Sequence, residues 1–177
     1  MKHLFNNYET CAGVWAAQSQ DRGHTQCGRM YFTGKVIYSY GTHFPLARIV
    51  GGAVLLNDST YSVTTSKQQH VVRSRSHSRF GEEHLVPVKT GTLLAWERDG
   101  SAAVYRDYSA RIRDCLITAR LPRKRHATKL WLWQESVVWM SACLRFARLQ
   151  GESVPEMLTV DEAREYQLAV AKVELGT

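Results

Sequence analysis

Between residues 124 and 150 the apolar positions Leu130, Trp133, Val137, Met140, Leu144 and Ala147 fall three and four apart. That spacing predicts one long helix with a coherent apolar stripe. Trp131, Val138, Trp139, Cys143 and Phe146 widen the stripe so far that neighbouring helices or a second copy must cover it. Gly151 ends it. In "TVDEAREYQLAVAKVELG" Thr159 and Glu162 have capping-box spacing, so a last helix starts there and stops at Gly176. Upstream, "AAVYRDYSARIRDCLITAR" reads as a helix opened by Asp99 or Ser101 and punctuated by Pro122. Residues 8–20 predict a short helix that tolerates Gly13 and is ended by "DRGH".

The first half otherwise has the pattern of strands. "RMYFTGKVIYSY" has the β-branched and aromatic content of one or two strands. "FPLARIV" and "AVLLN" flank Gly51-Gly52, a two-residue hairpin signal. Asn57-Asp58 starts a further turn and "TYSVTT" continues as a strand, so residues 30–64 predict an antiparallel meander. Thr65 or Ser66 caps a helix over "SKQQHVVRSRS", and "HLVPV" and "TLLAWE" make a second hairpin about Lys89-Thr90-Gly91. The fold class expected is therefore α+β, an N-terminal antiparallel β-meander with a short helix and a C-terminal helical half. Residues 1–100 form the β-rich domain and 101–177 a helical extension packed on it, or the two make one single domain.

Charge changes this picture more than composition does. The chain has 23 basic and 16 acidic residues, a net +7. From Glu152 onward six acids face two bases, so that segment is −4 and residues 1–151 carry +11. A basic body of this kind attracts polyanions or an acidic protein surface. No apolar run is long enough for a membrane span and no apolar leader follows Met1, so the expectation is a cytoplasmic protein with no membrane partner. Cys11, Cys27, Cys115 and Cys143 are scattered and read as reduced thiols. His24-x-x-Cys27, with Cys11, has tolerable ligand spacing but no fourth ligand, so neither a metal nor a cofactor is expected.

Two segments begin Tyr-Ser-x-x-Thr: Tyr38, Ser39, Thr42 with His43 following, then Tyr61, Ser62, Thr65 with His70 following. Adjacent strand ends would bring these groups together. A near-neutral histidine can act as a base on a hydroxyl, which makes His43, Ser62 and His70 the catalytic candidates. Tyr38, Ser39, Thr42, Arg48, Tyr61 and Thr65 are the candidates for holding a ligand or a phosphate without reaction. The bland alternative is a hydrogen-bonded structural cluster. In "RSRSHSR" Arg73, Arg75 and Arg79 alternate with serines, and an extended chain would put them on one face, whereas a helix would scatter them. Arg120, Arg123, Lys124, Arg125 and Lys129 cluster before "WLW", where cations suit phosphates and aromatics suit bases.

Residues 7–72, through "NNYETCAGVWAAQ", "YFTGKVIYSYGTHFPLARIV", "VLLN" and "YSVTTSKQQH", resemble an uncharacterised domain found in small proteins of tailed phages and plasmids. The resemblance implies a mobile-element origin, a host-cell cytoplasm as the setting, and the Tyr-Ser segments as the heart of the domain. It brings no catalytic residues. Three functions follow as expectations. The first is a nucleic-acid-binding accessory protein of a phage or mobile element. The second is a protein–protein inhibitor that blocks a host defence or nucleic-acid machine through an acidic host protein. The third is an enzyme acting on a phosphate-containing substrate. A non-enzymatic role is favoured, and a homodimer through the 124–150 helix is the expected assembly if one forms.

Overall fold

The structure, a computed structural model, describes residues 3–121 and 126–175. The chain divides into two compact units, residues 1–100 and 101–177. The first contains β1 (Leu4–Phe5), α1 (Tyr8–Ala17), β2 (Arg22–Thr25), β3 (Met30–Thr33), β4 (Val36–Ser39), β5 (Pro45–Val50), β6 (Ala53–Asn57), α2 (Val63–Phe80), β7 (Leu85–Val88) and α3 (Thr90–Asp99). All seven strands join one sheet in sequence order. β2 to β6 run antiparallel, while β1 lies parallel to β2 and β7 parallel to β6. Fold class is thus α+β, with the helical half following. Gly51, at φ 51°, turns the hairpin in which Val50 pairs with Ala53.

Alternation along the strands sorts side chains between the two faces. Phe32, Ile37, Ala47, Ile49, Val54 and Leu56 meet Trp15 of α1 and Val72 of α2 in one core. Arg48 projects the other way, where α3 packs on β5 and β6 and Glu97 binds the guanidinium at 2.6 Å. Trp15 is fully buried, and burying a side chain of this kind contributes about 1.5–3 kcal/mol or more.

Several segments differ from the sequence reading. "DRGH" does not merely end α1, since Arg22–Thr25 form β2. Gln18 in the left-handed region ends the helix instead, its backbone N–H donating to the Trp15 carbonyl at 3.0 Å and its side-chain amide to the same oxygen at 2.7 Å. "TYSVTT" is not a strand: the meander stops at Asn57, and Ser62 caps α2 by accepting from the Thr65 amide at 3.2 Å. The cap therefore lies three residues before Thr65. "TLLAWE" belongs to α3, so "HLVPV" pairs with β6 and makes no hairpin with it.

The second unit is α4 (Ser101–Arg120), α5 (His126–Gln150) and α6 (Val160–Leu175). α4 and α5 are antiparallel: Tyr105 meets Phe146 at 5.7 Å between ring centroids, and Tyr108 meets Trp139 at 6.1 Å. The Arg111 guanidinium lies 4.4 Å from the Trp139 ring and is held by Asp107 at 2.8 Å. The side of α5 that is buried is Leu132, Ser136, Ala142, Cys143, Phe146 and Ala147. This is rotated from the predicted stripe, whose Leu144 is exposed. Trp133 is half-buried beneath Lys172 of α6, whose ammonium stands 4.2 Å from the ring. The capping box of α6 forms as expected, Thr159 N–H donating to Glu162 at 2.7 Å and Glu162 N–H to the Thr159 hydroxyl at 3.3 Å. Gly176 lies outside the described residues. Among the described residues no helix is long and apolar enough to cross a membrane.

Candidate functional site

Where β4 ends and α2 begins, a recess of about 310 Å³ is lined by Ser39, Tyr40, His43, Phe44, Tyr61 and Ser62. Parts of both Tyr-Ser segments converge there, one as a strand end and the other as a helix cap. A tight loop shapes it. Tyr40 has φ 59°, a left-handed conformation that costs a residue with a β-carbon about 1–3 kcal/mol. Its N–H donates to the Arg29 carbonyl at 2.9 Å, and Ser39 N–H donates to the Phe44 carbonyl at 3.0 Å. Gly41 leaves room for the imidazole of His43, since a β-carbon there would stand 2.7 Å from its Nδ1. Tyr61 is propped by Phe44, with ring centroids 5.1 Å apart. No carboxylate lines the recess.

The hydroxyls at its floor face inward. Ser39 Oγ donates to Gln68 Oε1 at 2.5 Å and contacts Thr65 Oγ1 at 3.5 Å. Ser62 and Thr65 hydroxyls are 3.0 Å apart. Gln68 Nε2 donates to the Arg29 carbonyl at 3.0 Å. Ser39, Thr65 and Gln68 are all fully or almost fully buried. An activated serine needs a base within about 2.6–3.2 Å. Here each serine is engaged by Thr65 or Gln68, and His43 holds neither. The resulting network fastens α2 to the sheet and leaves the tyrosine rings and the His43 imidazole as what the recess offers.

The remaining candidates are placed apart from it. Tyr38 points to the opposite side of β4 from Ser39 and stacks on Tyr31 at 5.0 Å. Thr42 is exposed in the loop. Arg48 is bound to Glu97 on the α3 side. His70 lines a different recess, about 210 Å³, with Asp58, Gln69 and Arg73, so His43 and His70 do not share a site.

The 73–79 segment is helical, so the one-face strip of an extended chain does not form. Arg73 and His77 fall on one line of α2, with His70 and Lys67 continuing it at helical spacing. Arg75 and Arg79 fall on another. Arg73 binds Glu82 at 2.5 Å. The Arg75 stem passes over Gly13 of α1, and the Arg79 guanidinium lies 5.6 Å from the Phe80 ring. Lys67, Arg75 and Arg79 have no ion-pair partner among the described residues. α2 has no acidic residue anywhere in Val63–Phe80.

The 120–129 cluster is differently disposed. Arg120 is paired with Glu165 of α6, and Arg113 donates to Glu162 at 2.8 Å and to the Met157 carbonyl at 2.7 Å. The acidic C-terminal segment thus neutralises arginines of α4. Lys129 is half-buried on α5. Arg123, Lys124 and Arg125 lie outside the described residues.

Three residues of the site escape a reading by pattern: Tyr40, Phe44 and Gln68. Tyr40 follows the Tyr-Ser pair directly, and its left-handed backbone has no sequence mark. Gln68 is a polar residue at a buried helix position, opposite to what periodicity selects. Among the described residues no three His, Cys, Asp or Glu come together as a metal site. Cys11 is buried, which pushes its thiol up to about 12, while Cys27 is exposed and lowered, chiefly by the Thr25 hydroxyl. Compared with family models, with curated proteins and with solved structures, the chain finds no match in any of the three.

Proposed function

We propose that this protein binds nucleic acid, with the solvent side of α2 following the phosphates. The observation that supports this reading most is the helix itself: eighteen residues with Lys67, Arg73, Arg75, Arg79, His70 and His77 and not one carboxylate. Ordinary solvated helices interleave both signs, because opposite charges at helical spacing stabilise each other. A single-sign face instead suits a polyanion, whose released counterions drive the association. Ser74, between Arg73 and Arg75, adds a hydroxyl donor for phosphate oxygens, while the Ser66 and Ser78 hydroxyls donate to the Ser62 and Ser74 carbonyls at 3.0 Å each. A mobile-element accessory role fits such a binder, which needs affinity for many sequences more than readout of one.

The test is fluorescence anisotropy of labelled oligonucleotides across a salt series, with the wild type and the Lys67→Ala/Arg75→Ala/Arg79→Ala variant. Each lost contact removes about 0.7 from the log–log salt slope on a single strand and about 0.9 on a duplex. A variant flatter by roughly 2 on single strands is the expected result. Absence of binding, or an unchanged slope, overturns the reading.

A protein partner is the second reading. It is supported by α5, where Trp131 and Val138, seven residues apart on one side, are both more than half exposed. A second copy of the chain and an acidic host protein are the partners this reading proposes.

A further inference from the structure

We infer that the recess at the start of α2 takes one base of a single-stranded nucleic acid, stacked against Tyr40 and Tyr61. The inference rests on the nucleic-acid reading of α2 and adds the strand type and the mode of contact. Tyr40 is 51% and Tyr61 68% exposed, and they are the exposed aromatic residues of the first unit among the described residues. Both line the same cavity, together with His43. At about 310 Å³ the cavity lies near the lower end of the range for small-ligand sites, roughly 300–1,000 Å³.

One ring is propped and the loop that bears the other is pinned. Tyr61 leans on buried Phe44, and the backbone that carries Tyr40 is fixed by its N–H bond to the Arg29 carbonyl. The serine hydroxyls that could read a base edge are spent on Gln68 and Thr65. Beside the His43 ring and the two tyrosine hydroxyls, what remains is π-surface, which every base can use, so stacking gives binding that is largely tolerant of sequence. A duplex keeps its bases stacked inside and cannot present one to a recess without flipping it out. A single strand can, and Ser62, on the recess wall, begins the helix whose side carries Lys67 and His70 one and two turns further on. Aromatic platform and cationic track are therefore consecutive along one element, the arrangement by which single strands are held without sequence preference.

The experiment measures binding of four labelled or competing probes: an oligothymidylate, a duplex of equal length, an abasic strand with the same phosphates, and a mononucleotide. It uses the full chain as wild type, Tyr61→Leu and Tyr61→Phe. Tyr61 is mostly exposed, so its replacement leaves the fold intact, which circular dichroism checks. The expected result is that Tyr61→Leu weakens the oligothymidylate on the order of tenfold with an unchanged salt slope. Tyr61→Phe restores it, and affinities for duplex and abasic strand stay the same in all three proteins. Equal binding of the oligothymidylate by wild type and Tyr61→Leu, with a normal salt slope, overturns the base pocket and leaves the α2 reading standing. Absence of all binding by the wild type overturns both. Saturable binding of the mononucleotide as tight as the oligothymidylate overturns the strand assignment in favour of a free nucleotide.

Discussion

Replacing Gln68 tests whether the buried hydroxyl–amide network is what fastens α2 to the sheet. In Ser39→Ala the Gln68 carbonyl oxygen, in a fully buried side chain, loses the 2.5 Å bond it accepts. A stranded buried acceptor costs about 1–3 kcal/mol. In Gln68→Leu the Ser39 hydroxyl keeps only its 3.5 Å contact with Thr65, while the Arg29 carbonyl still accepts from Tyr40 N–H at 2.9 Å. That variant also costs about 1–3 kcal/mol, mostly through Ser39. The double variant strands neither group, so its cost falls below the sum by about 1 kcal/mol or more. Against a domain stability of about 5–15 kcal/mol these are measurable losses. Native-state hydrogen exchange at amides of β4 and α2 reads them in the first unit alone. Single variants each within about 0.5 kcal/mol of wild type, or effects additive to within about 0.3–0.5 kcal/mol, refute the reasoning.

Three further outcomes are expected from the second unit. Trp139→Glu removes a ring packed on Tyr108 and Arg111 and should destabilise by about 3–5 kcal/mol, whereas Trp131→Glu, at an exposed position, should leave the melting curve of the monomer unchanged. If a homodimer forms through α5, light scattering across a concentration series shows Trp131→Glu as a monomer and wild type as a dimer; a wild-type monomer throughout removes that assembly. Glu162 is held below its ordinary value of 4.5, first by the Thr159 backbone N–H and then by Arg113. Its contribution is complete above that ordinary value and is lost as pH falls through the lowered one. Glu162→Gln keeps the cap, so thermal melts should show a weaker loss of stability in acid; superimposable wild-type and variant pH curves would refute it.

What could be read along the chain was what local chemistry decides. The Gly51-Gly52 hairpin and the Thr159/Glu162 capping box need only neighbouring residues, and both formed. α2 was half-read because its inward side is Thr65, Gln68, Val72 and Ser76. Apolar periodicity has almost nothing to register there, and the β-branched Val63, Thr64 and Thr65 look like a strand until the Ser62 cap is seen. "TLLAWE" has strand-like bulk, but it coils into α3, which packs across β5 and β6 and leaves the outer edge of β7 without a hairpin partner. On α5 apolar residues surround the helix, so the spacing alone could not say which side faces α4. The recess was anticipated in part, as Ser39, Tyr61, Ser62 and His43 do meet. Tyr38, Thr42, Arg48 and His70 stand elsewhere because strand alternation, a salt bridge and helix rise separate what the linear order places together.

The sequential order of the sheet has a consequence for how the first unit forms. From β2 to β6 every strand pairs with its immediate successor, and two of those connections are the two-residue turns at Gly34-Lys35 and Gly51-Gly52. Each pairing closes a short loop, so the meander can zip strand by strand as the chain leaves the ribosome, at little entropic cost per step. β7 is different, because residues 58–84 intervene before it can lie beside β6. Closing that loop costs about 2 kcal/mol more than closing a hairpin of a few residues, unless α2 has already coiled and shortened the span. The helix that carries the cations is therefore also the strut that brings the last strand home, and the order of assembly runs through it.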